Sequence, residues 1–364
     1  MTLTLGIEEE YLLLDGRGMP AARAAEVLDT ARHRPGGRDA DLQHELLVVQ
    51  VEIATGVCAD LAAAERELGE LRASIAAAAA AAGCRMAAVG TAPQVDDAED
   101  VPVADAPRYQ DLWERAPALV EEQLINGMHV HVGVPDRGDA LKVLAGIRPW
   151  LPVLLALSSN SPLWRGRDSG FASFRSVHFA RWPVEGPPPV FGTVEEYEAR
   201  AEALLATGAI RDRGQLYWHI RLSEHWPTVE TRVADVQLDA GTAVALAGLV
   251  RGLAATALAA PAVPVDQQVP AEVLRAATWT AARNGLDGAL VDPRSGSAAP
   301  AAVVVRGLLE HVGDALGELG ERELVEERVQ GVVSGGTGAA RQRQALREGG
   351  LPAVLELVAR GGAG

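Results

Sequence analysis

Five short stretches of this chain alternate apolar and polar residues with a period of two, and their polar positions carry chemically capable side chains. They are Glu8 and Glu10 in LGIEEEYLLL, Gln50 and Glu52 in VVQVEIAT, His129 and His131 in GMHVHVGV, His219 and Arg221 in YWHIRLS, and Glu230 and Arg232 in TVETRVAD. Side chains at i and i+2 of a strand share a face, so each stretch predicts a strand with one apolar and one polar side. In the third, Met128, Val130, Val132 and Val134 turn into a core while His129 and His131 turn away. Five such strands predict one sheet with a greasy face and a face of carboxylates, imidazoles and guanidinium groups. That is the layout of an active site built on strands.

The elements between them follow from local signals. Residues 3–14 read as a first strand, in which Glu9 breaks the alternation and calls for an edge position or a bulge. A second strand covers 47–55, and Asp60 caps a long helix that ends at Gly83. A strand near 85–91, a loop rich in Pro and Asp, and a helix over 109–124 precede the HVH strand. An apolar helix over 137–158 is disturbed by Pro149 and Pro152. From 158 to 189 no period holds, and the aromatics Trp164, Phe171, Phe174, Phe179 and Trp182 predict an ordered functional loop pinned to the core. Thr193 and Glu196 form a capping box for a helix over 194–206. A hairpin-like pair, 216–222 and 229–236, comes next. Everything after about 238 reads as helix, with Gly-rich mobile stretches at 331–338 and 361–364. Strands and helices do not alternate as a TIM barrel requires. The reading is one α+β domain over 1–364, mainly helical beyond 238.

Composition narrows the function. Hydrophobic residues make up 48% and charged residues 23%, and the net charge is −16. A nucleic-acid binder needs a basic surface, so no nucleic-acid partner is expected. The only lysine is Lys142, outside any Gly-rich phosphate motif, which leaves little for Schiff-base or P-loop chemistry. Cys58 and Cys84 are too few for a disulfide framework and suit a reduced, cytoplasmic setting. The start of the chain shows no signal peptide, and its apolar runs predict no membrane span. A homo-oligomer stays open.

Glu8, Glu10, Glu45, Glu52 and Glu230 all lie in or beside apolar segments. Gathering anions in a low-dielectric site is costly unless a cation sits between them, and Mg²⁺ or Mn²⁺ takes oxygen ligands of this kind. Ion pairing with arginine is the plainer alternative for each carboxylate. Arg165, Arg167, Arg175, Arg181, Arg221 and Arg232 suit forked recognition of phosphates and carboxylates, with Arg221 and Arg232 favoured because they fall within strand patterns. The HVH pair alone also fits zinc in an amidohydrolase. His33, His44, His178, His225 and His311 share no spacing.

GIEEEYLLLD, ELLVVQVEIAT, NGMHVHVGV, SSNSPLWRGRDSGFASFRS with RWP, WHIRLSEHWPTVETRVADV and AARNGLDGALVD, in this order from about residue 3 to 292, resemble the motif series of the type 2 glutamate–cysteine ligase family, the carboxylate–amine ligases. The resemblance implies a glutamine-synthetase-like fold, a curved antiparallel sheet backed by helices. It implies ATP and Mg²⁺ (or Mn²⁺) as cofactors, and coupling of glutamate, or a similar acid, to an amine through an acyl phosphate. Carried over, Glu8, Glu10, Glu45, Glu52, His129 and Glu230 become metal ligands. His131, Arg175 and Arg232 become nucleotide or phosphate contacts, and Arg221, Arg232 and Glu230 catalytic groups. Arg175, Arg221 and His219 become substrate contacts. His219 stands where the family usually has an acidic residue, and Leu222 where it has proline, so amine choice is the property in question. A catalytically silent binder of nucleotide or glutamate is the remaining alternative.

Overall fold

The computed structural model describes residues 3–33, 42–95 and 101–360. Its strands in chain order begin with β1 (Leu5–Leu14), β2 (Leu42–His44), β3 (Gln50–Ala54), β4 (Arg85–Ala87) and β5 (Gly127–Gly133). β6 (Leu163–Trp164) and β7 (Arg167–Asp168) make a small separate hairpin, followed by β8 (Ile220–Leu222) and β9 (Thr228–Asp235). The main sheet runs β2-β3-β1-β5-β9-β8, with β4 following β5 along one edge of β1. Its ladders are antiparallel throughout. The fold is α+β, as the alternation predicts.

Register decides what shares a face. Glu10 lies opposite Glu52, Glu8 opposite His129, His131 opposite Glu230, and Glu230 opposite Arg221. Directly opposed residues point to the same side of a sheet, so the reactive side chains collect on one face. An irregularity in the β5–β9 ladder sets an extra β9 residue beside Arg232, the kind of local bend that re-aims a side chain. On the other face Ile7, Val51, Ile53, Met128, Val130, Val132 and Val233 are buried. They pack under the helices Leu61–Ala81, Arg137–Ile147 and Ala240–Ala259. The Asp60 carboxylate caps the first of these by accepting from Ala63 N at 2.8 Å, and Gly83 at φ +72° turns the chain out of it. The segments Arg137–Ser158 and Ala240–Ala259 are long and apolar enough to cross a membrane, yet most of their residues are buried inside the protein.

Several expectations are corrected. Glu9 meets neither an edge nor a bulge: β1 is central, and Glu9 is buried on the apolar face against Arg72 of the helix Leu61–Ala81. Arg72 donates from Nε at 2.8 Å and from Nη2 at 2.5 Å, and the Tyr11 hydroxyl donates to the same carboxylate. A buried charge is tolerated when its partner and hydrogen bonds come with it. The helix expected over 109–124 is two, Pro107–Arg115 and Pro117–Glu121, because Pro117 has no N–H to continue the first. The 158–189 stretch is ordered around the β6–β7 hairpin and the helix Phe174–Phe179, with Phe179 and Trp182 packed on Tyr217. Beyond 238 the helices are interrupted by a hairpin of β10 (Ala289–Asp292) and β11 (Ser297–Pro300), strands too short to show a period. Residues 331–338 complete the helix Arg322–Gly335 and open the helix Gly338–Ala359; residues 361–364 lie outside the described residues.

Candidate active site

The polar face of the sheet floors a cavity of about 670 Å³. Glu8, Glu10, Glu45, Glu52, His129, His131, Arg175, Arg221, Glu230 and Arg232 all line it. The i, i+2 spacing on β1, β5 and β9 brings six of them there; Glu52 comes from β3, Arg221 from β8, Arg175 from the helix Phe174–Phe179, and Glu45 from the turn between β2 and β3.

The acidic groups form two clusters. Ligand atoms of Glu8, His131 and Glu230 lie within 4.8 Å of one another, as do those of Glu10, Glu45 and Glu52. His129 stands between the two: its Nδ1 is 2.9 Å from Glu8 Oε2, and its Nε2 is 3.9 Å from Glu10 Oε1. In the second cluster, burial and the neighbouring Glu10 carboxylate push Glu45 up to about 8. Burial, then Glu45, Glu8 and Glu10, hold Glu52 well above the ordinary carboxylate range. Three carboxylates packed this way resist ionising together, and a divalent cation removes that resistance. Burial alone would raise Glu8, but hydrogen bonds from His129 and His131 bring it well below its usual value. The buried Nε2 of His129 has no hydrogen-bond partner among the described residues, while Nε2 of His131 lies 3.2 Å from Glu8 Oε1. Clustered carboxylate oxygens with the unspent His129 Nε2 among them fit Mg²⁺ or Mn²⁺, so the expected ligand set is compatible with a metal centre. His131, expected as a nucleotide contact, sits in the first cluster instead of beside it.

Glu230 is different. Arg221 donates to both its oxygens, from Nε at 2.7 Å and Nη2 at 3.2 Å, and Arg232 Nη1 donates to Oε1. Although burial raises its pKa, Arg232 and Arg221 together hold it far below the carboxylate range. Arg221 is in turn fixed by the Gly214 and Leu216 carbonyls. Both of these arginines are therefore engaged by Glu230, although Arg232 Nε has no hydrogen-bond partner among the described residues, and Arg175 has spare capacity as well. Its Nη2 donates to the Arg232 carbonyl at 3.4 Å, and its Nε has no hydrogen-bond partner among the described residues. The loop arginines behave as surface charges: Arg165 and Arg181 pair with Glu122, and Arg167 is exposed.

His219 is the correction in this set. It does not line the cavity; it is buried, with Nε2 2.6 Å from Glu185 Oε1. It precedes β8: its carbonyl still accepts from Arg232 N at 2.8 Å, but its own N–H donates to the Gly186 carbonyl at 2.9 Å, and its ring packs against Glu185 outside the cavity. Gln50 is likewise structural, donating to the Ile125 carbonyl and Asn126 Oδ1. Reading by period two overlooked Arg108, Tyr109, Tyr217 and Trp226, which also line the cavity. Arg108, Tyr109 and Trp226 come from a helix start and the β8–β9 turn, where no period exists to flag them, and Tyr217 stands at the head of YWHIRLS, two residues before His219.

Residues 4–357 match the model of the family described as Glutamate-cysteine ligase family 2. A Mycolicibacterium vanbaalenii protein provisionally named glutamate–cysteine ligase 2-2 is 45% identical over 350 residues, covering 94% of this chain and 93% of that one. A Streptomyces coelicolor protein provisionally named glutamate–cysteine ligase 2 is 42% identical over 366 residues, 98% of each. Among solved structures, the glutamate–cysteine ligase of Francisella tularensis in complex with AMP matches with a TM-score of 0.74 at 14% identity, covering 100% of this chain and 89% of that one. A bifunctional glutathione synthetase from Pasteurella multocida gives 0.73 at 16% identity, covering 99% of this chain and 52% of that longer one. At these identities the two structures share the fold.

Proposed function

This chain belongs to glutamate–cysteine ligase family 2, and from that premise we propose that it is an ATP-dependent carboxylate–amine ligase. It phosphorylates the γ-carboxylate of glutamate, or of a similar acid, and couples the activated acyl group to an amine with release of ADP and phosphate. The observation that carries this reading is the pair of acidic clusters on one cavity floor, with carboxyls driven up by burial and by their own crowding, beside a guanidinium with unspent donors. Phosphoryl transfer asks a protein for positioning and charge neutralisation more than for covalent chemistry. The AMP bound by the Francisella tularensis relative supports nucleotide use.

In this reading Glu8, His131 and Glu230 hold one divalent cation and Glu10, Glu45 and Glu52 another, with His129 between them. Such ions, when bound, neutralise the phosphates. The chain's own part is to fix the geometry. Gly127 N donates to Glu10 at 2.5 Å, and Thr228 Oγ1 lies 2.9 Å from His131 Nδ1, contacts that orient ligands. Arg221 and Arg232 hold Glu230 ionised and in place, and Arg175 receives an anionic group of the substrates. One catalytic domain spans the chain, and the buried free thiols Cys58 and Cys84 suit a cytoplasmic enzyme.

The amidohydrolase alternative loses its support: the HVH pair sits in an open antiparallel sheet with acidic neighbours, and the family is one of ligases. The test is ADP release on adding glutamate and an amine with Mg²⁺ or Mn²⁺, with mass spectrometry of the γ-glutamyl product over an amine panel. AMP and pyrophosphate as products would replace acyl phosphate with adenylation. Nucleotide binding without turnover across the panel would favour the silent relative.

A further inference from the structure

Asp235 closes β9 just outside the cavity, and we propose that it is the positioning residue for Arg175, setting that guanidinium where it meets the anionic part of the substrates. This rests on the ligase reading of the cavity. Asp235 is fully buried. Its Oδ2 accepts from Asn160 N at 2.8 Å and Ser161 Oγ at 2.7 Å, and its Oδ1 accepts from Ser173 Oγ at 2.8 Å.

Two of these partners lead directly to Arg175. Ser161 Oγ accepts from Arg175 N at 3.1 Å, and Ser173 Oγ accepts from Ser176 N at 3.3 Å, capping the short helix Phe174–Phe179 that carries Arg175. The charge of Asp235 then acts on the side chain itself, with Arg175 Nη1 3.9 Å from Oδ1. The surroundings are cut to the same arrangement. A Cβ on Gly127 would collide with the Arg175 guanidinium, and one on Gly90 would lie 2.9 Å from Asp235 Cγ. Arg175 makes few other polar contacts, and its Nε has no hydrogen-bond partner among the described residues. A guanidinium held so lightly by its own donors keeps them for a ligand, and its place must be set from behind. Asp235 does this through backbone, cap and charge together.

The experiment compares Asp235→Asn, Arg175→Gln, the double variant and Gly127→Ala in the full chain, with Mg²⁺·ATP, glutamate and the best amine. Asp235→Asn raises by about tenfold or more the same KM that Arg175→Gln raises, the scale of one weakened charge-assisted contact, with a smaller change in kcat. The double variant is no worse than Arg175→Gln. Hydrogen exchange without ligand shows faster exchange in residues 173–180 of Asp235→Asn and little change elsewhere. A normal KM in Asp235→Asn, an additive double variant, or unchanged exchange at 173–180 overturns the proposal. Should Asp235→Asn fail to fold, Gly127→Ala displaces Arg175 while leaving Asp235 and its three donors in place, and a normal KM there overturns it equally. Absence of ADP release from wild type with every acid and amine sinks the ligase reading, while the exchange measurement still decides whether Asp235 positions Arg175.

Discussion

Glu45 and Glu52 occupy each other's field, and their crowding has consequences for both rate and stability. Glu52→Gln keeps the shape and removes a charge; turnover falls at least ~100-fold, the scale of losing one preorganised electrostatic group. The metal-free variant keeps wild-type circular dichroism. Both carboxyls titrate above their unfolded value of 4.5, Glu45 at about 8. Between those values the folded state binds more protons than the unfolded chain, so stability is full below the lower value and falls as pH rises towards the upper one. Thermal melts of chelated protein from pH 5 to pH 8 show a declining Tm, and added Mg²⁺ or Mn²⁺ flattens the decline. An upward slope in the chelated protein contradicts the crowding argument. His219 belongs to a different environment, buried against Glu185. His219→Asp opposes two carboxylates there and costs roughly 3 kcal/mol, as when a buried pair loses one partner. Urea denaturation measures the loss, Glu185→Gln restores part of it, and the order of preferred amines stays as in wild type.

At the scale of elements, the sheet is fastened to its covering helix by polar as well as apolar contacts. The Glu9–Arg72 pair lies where strict alternation asks for an apolar residue, and Arg72 also donates to the Gln237 carbonyl at 3.0 Å. Arg72→Ala strands the Glu9 carboxylate and costs about 3–5 kcal/mol in a chemical melt, whereas a Glu9→Gln, Arg72→Met double variant recovers most of that loss. Equal losses in single and double variants would mean that packing, not charge, fastens the helix. The alanine-rich stretch of Leu61–Ala81 serves the same contact, since small side chains let the helix lie close to the strands.

Across the whole molecule, the two faces of the sheet divide the labour. The apolar face needs Ala240–Ala259, whose residues from Ala243 to Ala254 are all buried, so the helical part beyond 238 completes the core. A chain cut after residue 238 exposes that face and does not fold, a result that far-UV circular dichroism and proteolysis of the fragment check. The C-terminal helix Gly338–Ala359 reaches the Asp235 network as well: Gln342 Nε2 donates to the Asn160 carbonyl at 2.9 Å and to its Oδ1 at 2.7 Å. The site is thus tied to residues far beyond the sheet.

The pairs at Glu8/Glu10, His129/His131 and Glu230/Arg232 were legible because a strand fixes orientation with a two-residue rule, and that rule depends on nothing outside the strand. The same rule named the sheet, its polar face and the acidic, imidazole and guanidinium side chains that β1, β3, β5, β8 and β9 send into the cavity. It could not say which strands neighbour which, and so could not distribute the ligands between two clusters or put His131 among them; ladder register does that. It misjudged Glu9 because the compensating charge lies 63 positions away on a helix. It misjudged His219 because the strand begins one residue later. Arg175, Arg108 and Tyr109 sit in segments without a period, and Tyr217 and Asp235 lie at the ends of periodic stretches, where position follows from long-range hydrogen bonds and packing. Local alternation is written in sequence; the pairing of charges across the fold is decided only when the chain closes on itself.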